Sequence, residues 1–258
     1  MTKTTSKQNY PKVVASALAI TLAAGTGVSV LHAQDAAPAL EGKKPAWETT
    51  AAFGLTLTRG NSETLTGTAN ILAQKKWDKN ELSLGADGTY GEADGTKNAE
   101  SIHGFGQYNR LFTDRAYGYA RVDALHDAVA DVDYRLTFSP GAGYYFVKKE
   151  RTSLSGELGP GVVLEKQGGQ EDSYLTLRVA ERFEHKFNDR TRVWQSVEWL
   201  PQVDDFNNSI INAEIGVETQ LSTKFSLRVF AQDTYDTRPA AGRKNNDLKL
   251  VTALAYKF

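Results

Sequence analysis

The chain's most versatile acid–base side chains beyond its first 33 residues are three histidines, His103, His126 and His185. Ser101 and His103 stand two apart, so on a strand they share a face, and Ser62 or Ser209 could lie nearby in space. A serine activated by a histidine is the arrangement of a hydrolase acting on lipid or peptide, and such a site is defined by geometry. The plainer reading makes His103 and His185 interfacial or lumenal polar residues. Asp127, Asp131 and Asp133 form one acidic stretch and Asp204-Asp205 another. Oxygen-rich loops hold calcium, but the first stretch lacks the D-x-D-x-D-G spacing, which favours an ordinary solvated loop. No glycine-rich phosphate loop opens onto a helix, and Gly159-Pro160-Gly161 reads as a close-packing stretch of strand. The sequence therefore assigns no catalytic residue, no cofactor and no metal ligands.

A larger set of charges is more informative. Glu81, Asp87, Arg135, Glu157, Arg178, Arg182, Glu184, Glu198, Glu214, Glu218 and Arg228 all fall on the polar side of alternating segments. If those sides share one lumen, the opposed charges impose a transverse field on solutes in a water-filled pore, or they pair across the lumen and plug it.

The segments that carry these charges alternate with a period of two. Ile211, Ala213, Ile215, Val217, Thr219 and Leu221 interleave with Asn212, Glu214, Gly216, Glu218 and Gln220, and residues 81–90 and 225–232 do the same. This is the pattern of a strand between two different environments. Short polar stops at 78–80, 113–115, 148–151, 188–190 and 222–224 recur about 35 residues apart, with longer polar stretches between them. Twelve strands are expected at 48–59, 64–77, 80–91, 99–112, 115–127, 134–147, 152–166, 173–187, 191–203, 209–221, 224–236 and 247–258. Connections alternating strictly between short and long match the turns and outer loops of an outer-membrane barrel. The fold class is thus all-β, a transmembrane antiparallel up-and-down barrel of twelve strands. An even count leaves both ends of the barrel chain on one side. Twelve strands lie between the filled interior of eight and the aqueous channel of sixteen, so a narrow or partly blocked lumen is expected.

Trp77, Phe112, Tyr117, Phe146, Phe187, Trp194 and Phe225 lie close to the short stops and read as an aromatic girdle at the lipid–water boundary. One residue breaks the pattern. Glu181 follows Leu175, Leu177 and Val179 in the same register, which calls for a bulge or a position at the lumen or interface.

The ends of the chain indicate where it goes. Lys3, Lys7 and Lys12 precede an uncharged run from Val13 to Leu31, the pattern of a secretory signal, with cleavage expected after Ala33; an N-terminal anchor is the alternative. Residues 34–46 are rich in Ala, Pro and charge and read as a flexible periplasmic leader, followed by one domain over 47–258. Loss of three lysines takes the net charge from −1 to about −4, which gives no footprint for nucleic acid. There is no cysteine to cross-link the fold. The closing run ends at Tyr256 and Phe258, a terminal aromatic of the kind that barrel-assembly machinery reads.

The Gly60-Asn61-Ser62 turn, the stretch from Tyr90 to Gly95, the stretch from Leu111 to Tyr117, the stretch from Pro140 to Tyr144 and the closing Tyr256-Lys257-Phe258 occur in an order and spacing that resembles a known family. It is the family catalogued as domain of unknown function 481, often labelled salt-induced outer-membrane protein. The resemblance implies a barrel in the outer membrane of a Gram-negative bacterium, in contact with its lipid and lipopolysaccharide, and it brings no catalytic residues. The expected function is non-catalytic: a structural or envelope-adaptation role, or a narrow passive pore for small solutes. The alternatives are an outer-membrane enzyme acting at the external rim and a soluble periplasmic β-barrel or sandwich that binds a ligand.

Overall fold

Alternating strands need hydrogen-bond partners along both edges, and in the computed structural model these partners close on themselves. The structure describes residues 46–59, 64–93 and 96–258. The expected export segment, the leader up to residue 45 and the Gly60-Asn61-Ser62 motif lie outside the described residues.

Twelve strands follow in order: β1 Trp47–Arg59, β2 Thr64–Trp77, β3 Asn80–Ala93, β4 Thr96–Leu111, β5 Ala116–Asp127, β6 Val132–Lys148, β7 Thr152–Gln167, β8 Gln170–Lys186, β9 Thr191–Pro201, β10 Ser209–Gln220, β11 Phe225–Asp236 and β12 Asn246–Lys257. Each pairs antiparallel with its sequence neighbours, and β1 closes the barrel on β12 in a register running from Thr50 opposite Lys257 to Arg59 opposite Leu248. The expected all-β antiparallel barrel of twelve strands is the observed fold.

Closure fixes parity. Phe53, Leu84, Ile102, Val122, Phe138, Leu158, Leu175, Ile215 and Leu254 stand on the outer surface, and the residues between them turn inward. A band of Leu, Ile, Val and Phe around the outside, with carboxylates and guanidinium groups inside, inverts the arrangement of a water-soluble sheet protein.

The connections differ from expectation. The polar stretch around 167–172 is strand except for Gly168-Gly169, whose positive φ angles of 59° and 75° suit a two-residue hairpin turn. Only residues 202–208 and 237–245 form long connections among the described residues, so long and short do not alternate strictly. The physical reason is strand length. β6 and β8 have 17 residues, against the ~9–11 that a tilted strand needs to cross a bilayer. The hairpins continue beyond the apolar band, where both faces meet water, and polar composition there marks solvent rather than loop.

The girdle also needs correction. Phe112, Phe146, Phe187 and Phe225 are outward and exposed near the short turns, and Tyr256 packs edge-on against Phe225 and Phe258. Tyr117 and Trp194 instead turn inward, 2% and 8% exposed. Glycines on adjacent strands make room for them: a Cβ at Gly143 would lie 2.2 Å from the Tyr117 ring, and one at Gly216 would lie 2.3 Å from Trp194. Tyr119 over Gly141 and Phe105 over Gly85 repeat the arrangement.

Gly143→Ala should therefore cost about 1–3 kcal/mol through overpacking and lower the temperature at which the barrel loses its compact electrophoretic form. Gly104→Ala, whose Cβ would have its nearest neighbour at 3.7 Å, should leave that temperature unchanged.

Candidate functional site

The inward charges are gathered into a connected array. Arg178 on β8 donates from Nη1 to Glu157 on β7 at 2.6 Å and from Nε to Glu198 on β9 at 2.5 Å. It can lie between them because its register partner on β7 is Gly159, which offers no side chain to obstruct it. From Glu157 the array runs back through Gln107 (2.7 Å), Arg121 (3.2 Å to Gln107) and Asp123 (2.6 Å from Arg121) to His103. His103 lies between Asp123, 3.3 Å from Nε2, and Asp87, 3.0 Å from Nδ1. From Glu198 it runs forward through Asn212 (3.2 Å) to Thr234 (3.1 Å). One chain of hydrogen bonds thus girdles the lumen wall from β3 to β11.

Three further groups flank it. Near the short-turn end, Glu218 pairs with Arg192 (2.6 Å) and Arg228 (3.1 Å) and accepts from Ser226, while Arg192 also reaches Glu184 at 3.0 Å. Glu214 accepts from Trp194 and, at 2.8 Å, from Gln232. Glu81 accepts from Tyr145 across to β6 at 2.8 Å.

The remaining wall differs in kind. Ala52, Gly54, Val251, Ala253 and Ala255 of β1 and β12 face inward with almost no side-chain bulk. These small residues are buried, Ala52, Val251, Ala253 and Ala255 being 0–2% exposed, and Phe230 of β11 packs against them. Arg182 is inward by register, opposite Ser155 and Ser196, yet it is exposed and joins none of the ion pairs. Solvent therefore reaches its side chain.

At the opposite mouth, contacts cross the barrel. Arg135 on β6 bonds Glu165 at 2.5 Å and reaches Asp236 on β11 at 3.0 Å, five strands away around the ring. Lys249 on β12 reaches Ser101 on β4 at 3.3 Å. Loop 237–245 folds over this mouth, and Ala240, 7% exposed, packs against the Gly168 turn. Arg238 ties that loop to Asp205 of the 202–208 loop at 2.5 Å. The N–H of Asn207, together with Arg238, holds the Asp205 carboxyl below the usual carboxylate range. The tie is thus present at neutral pH and is lost only as pH falls through that lowered value.

All eleven charged residues expected on the polar side lie on the lumen side, and the array unites Asp87, Glu157, Arg178 and Glu198. Glu214, Glu218 and Arg228 belong to the short-turn clusters, Arg135 to the far mouth, and Arg182 stands apart. The histidines do not converge: His126 bonds the backbone oxygen of Asp133 and His185 bonds Thr152, both on the outer side. Ser101 lies beside Lys249 rather than donating to His103. Among the described residues no three His, Cys, Asp or Glu side chains are grouped to hold a metal ion. Asp127 instead accepts from the N–H groups of Val129 and Ala130 within its own loop. Sequence reasoning missed Arg121 and Asp123 as members of the array and Arg192 as a member of the short-turn cluster. Arg192 shares parity with Trp194, Ser196 and Glu198, so strict alternation would have included it.

A closed antiparallel barrel with an apolar exterior and a charged interior defines a membrane-barrel architecture, and the comparisons with known proteins agree. The family model "Protein of unknown function, DUF481" matches residues 51–258, and the chain belongs to that family. No curated protein matches it. Among solved structures, the NanC porin is similar with a TM-score of 0.57 and 8% identity, covering 81% of this chain and 100% of that one. The translocator domain of the autotransporter NalP from Neisseria meningitidis is similar with a TM-score of 0.50 and 11% identity, covering 85% of this chain and 91% of that one. At these identities the likeness is one of fold.

Arg178→Met leaves Glu157 and Glu198 facing each other without their shared cation, and should cost about 3–5 kcal/mol in a folding titration with urea in detergent micelles. Adding Glu157→Gln and Glu198→Gln should recover most of that loss, because no buried charge is then left unpaired; a triple variant as unstable as the single one would count against the pairing. At the mouth, Asp205→Asn should speed tryptic cleavage after Arg243 or Lys244 in the folded, detergent-solubilised protein. Equal rates would mean that the tie to Arg238 does not restrain the loop.

Proposed function

We propose that this chain is a non-catalytic outer-membrane barrel acting as a narrow passive pore for small polar solutes. The observation that carries the reading is the charged lumen. Carboxylates and guanidinium groups of both signs face inward from β3 to β11, and among them Arg182 of β8 is exposed to solvent. Solutes pass a lumen lined by both signs, which orients dipolar and zwitterionic molecules, and loop 237–245 narrows one mouth. The likeness in fold to a porin and to a translocator barrel supports the same reading.

In this account residues 1–33 direct export in a Gram-negative cell and are removed, and residues 34–46 form a periplasmic leader. Tyr256 and Phe258 are read by the barrel-assembly machinery, and the outer apolar band contacts lipid and lipopolysaccharide. Phe258 fits that role: it is exposed at the end of β12, and its backbone N–H donates to Thr49 at 3.1 Å across the closing seam.

Planar bilayer recording tests the proposal. The native barrel should give small, ohmic conductance steps. Arg182→Glu replaces an unpaired cation in the lumen and should shift the zero-current potential in a salt gradient toward cation selectivity, without loss of folded barrel. Arg178→Ala combined with Arg182→Ala should enlarge the conductance step. A barrel with heat-modifiable migration that gives no steps in any of these forms would overturn the pore.

A further inference from the structure

The outer surface carries one irregularity that a lumenal role does not use. Glu181 points outward from β8: its register partners are Gly156 on β7 and Val197 on β9, both on the outer face, and no register shift interrupts either pairing. Neither a bulge nor a position on the lumen side accommodates it. Val179 and Phe183 flank it along the strand on the same side. It lies six residues from Phe187, which is about 15 Å along the barrel axis for a tilted strand, near the middle of a ~25 Å apolar band. Gln195 stands diagonally beside it on β9, with Nε2 3.4 Å from the Glu181 carboxyl. Among the described residues these are the one carboxylate and the one side-chain amide at mid-height on the exterior. Other outward charges, such as Lys75, Lys166 and Asp233, sit toward strand ends.

A carboxyl and an amide in hydrocarbon need hydrogen-bond partners, and one long bond to each other leaves most of their capacity unmet. We infer that the β8–β9 exterior is an interface with a second copy of this chain, in which Glu181 of each copy meets Gln195 of the other. This inference rests on the membrane-spanning reading proposed above. The two residues are self-complementary, as an interface with two-fold symmetry requires. Copies inserted in the same direction also bring the pair to the same depth automatically, whereas any other protein would need its own polar group at that depth. The reciprocal arrangement keeps the two carboxyls apart and gives each a donor amide.

Because the chain has no cysteine, single cysteines report the contact cleanly. Val197→Cys, beside Glu181, should form a disulfide-linked dimer of the full-length protein in native membranes under mild oxidation. Ala69→Cys, outward on β2 well around the ring, should stay monomeric. Adding Glu181→Leu and Gln195→Leu to Val197→Cys should reduce the dimer about tenfold, the scale of roughly one buried hydrogen bond, while heat-modifiable migration stays intact. A monomeric Val197→Cys protein, a cross-link to a protein of different mass, or a dimer unaffected by the two leucines would each overturn the interface. Fractionation separates this from failure of the membrane reading, which would instead move the native protein out of the membrane fraction.

Discussion

Backbone closure between β1 and β12 is the constraint on which everything else in this molecule depends. A strand in hydrocarbon cannot leave its N–H and C=O groups unpaired, so an open edge is excluded there. Once the ring is closed, each strand's register is fixed by two neighbours, and a slip of one residue would move its whole apolar set inward and its charges into lipid. The pairing of Ala52 with Ala255 and of Phe53 with Leu254 therefore decides more than a local contact, because it sets which alternate residues of the whole sheet meet lipid.

The interior follows from that constraint. Inward positions receive the side chains that the exterior cannot accept, and these must be satisfied among themselves where the lumen is close-packed. Arg178 illustrates the solution, with one guanidinium shared by carboxylates on the strands to either side. Glycine is the second device. Gly141, Gly143 and Gly216 let Tyr119, Tyr117 and Trp194 lie against the wall and cover its backbone. Among the described residues, the one place where parity sets a polar pair in the apolar band, Glu181 with Gln195, is a cost to the isolated barrel that a second copy of the chain would offset.

Much of this was legible in the sequence because strand parity is a local, period-two signal. The strand at 64–77 was placed at its observed bounds, and most others fell within two or three residues. What remained hidden depends on contacts between distant strands. Nothing local in Gln107 or Arg121 says that they bridge to Glu157 on β7, and Tyr117 looks like any turn-flanking aromatic until Gly143 is seen beneath it. Polar composition was read as loop because a hairpin extending into water has the same residues as a loop. Glu181 stands out by its register, for which a bulge or a position at the lumen or interface is the expectation; the pairing of β8 shows no bulge and sets it on the outer face.

The central claim is that alternate residues of one strand lie in water and in lipid. Cysteine substitution along β8, followed by labelling of the membrane-embedded protein with a small membrane-impermeant thiol reagent, tests it directly. Cysteines at Ala180, Arg182 and Glu184 should label, and cysteines at Leu177, Val179 and Phe183 should stay unreactive until the protein is denatured. Uniform labelling of both sets, or labelling of the outward set alone, would contradict the account.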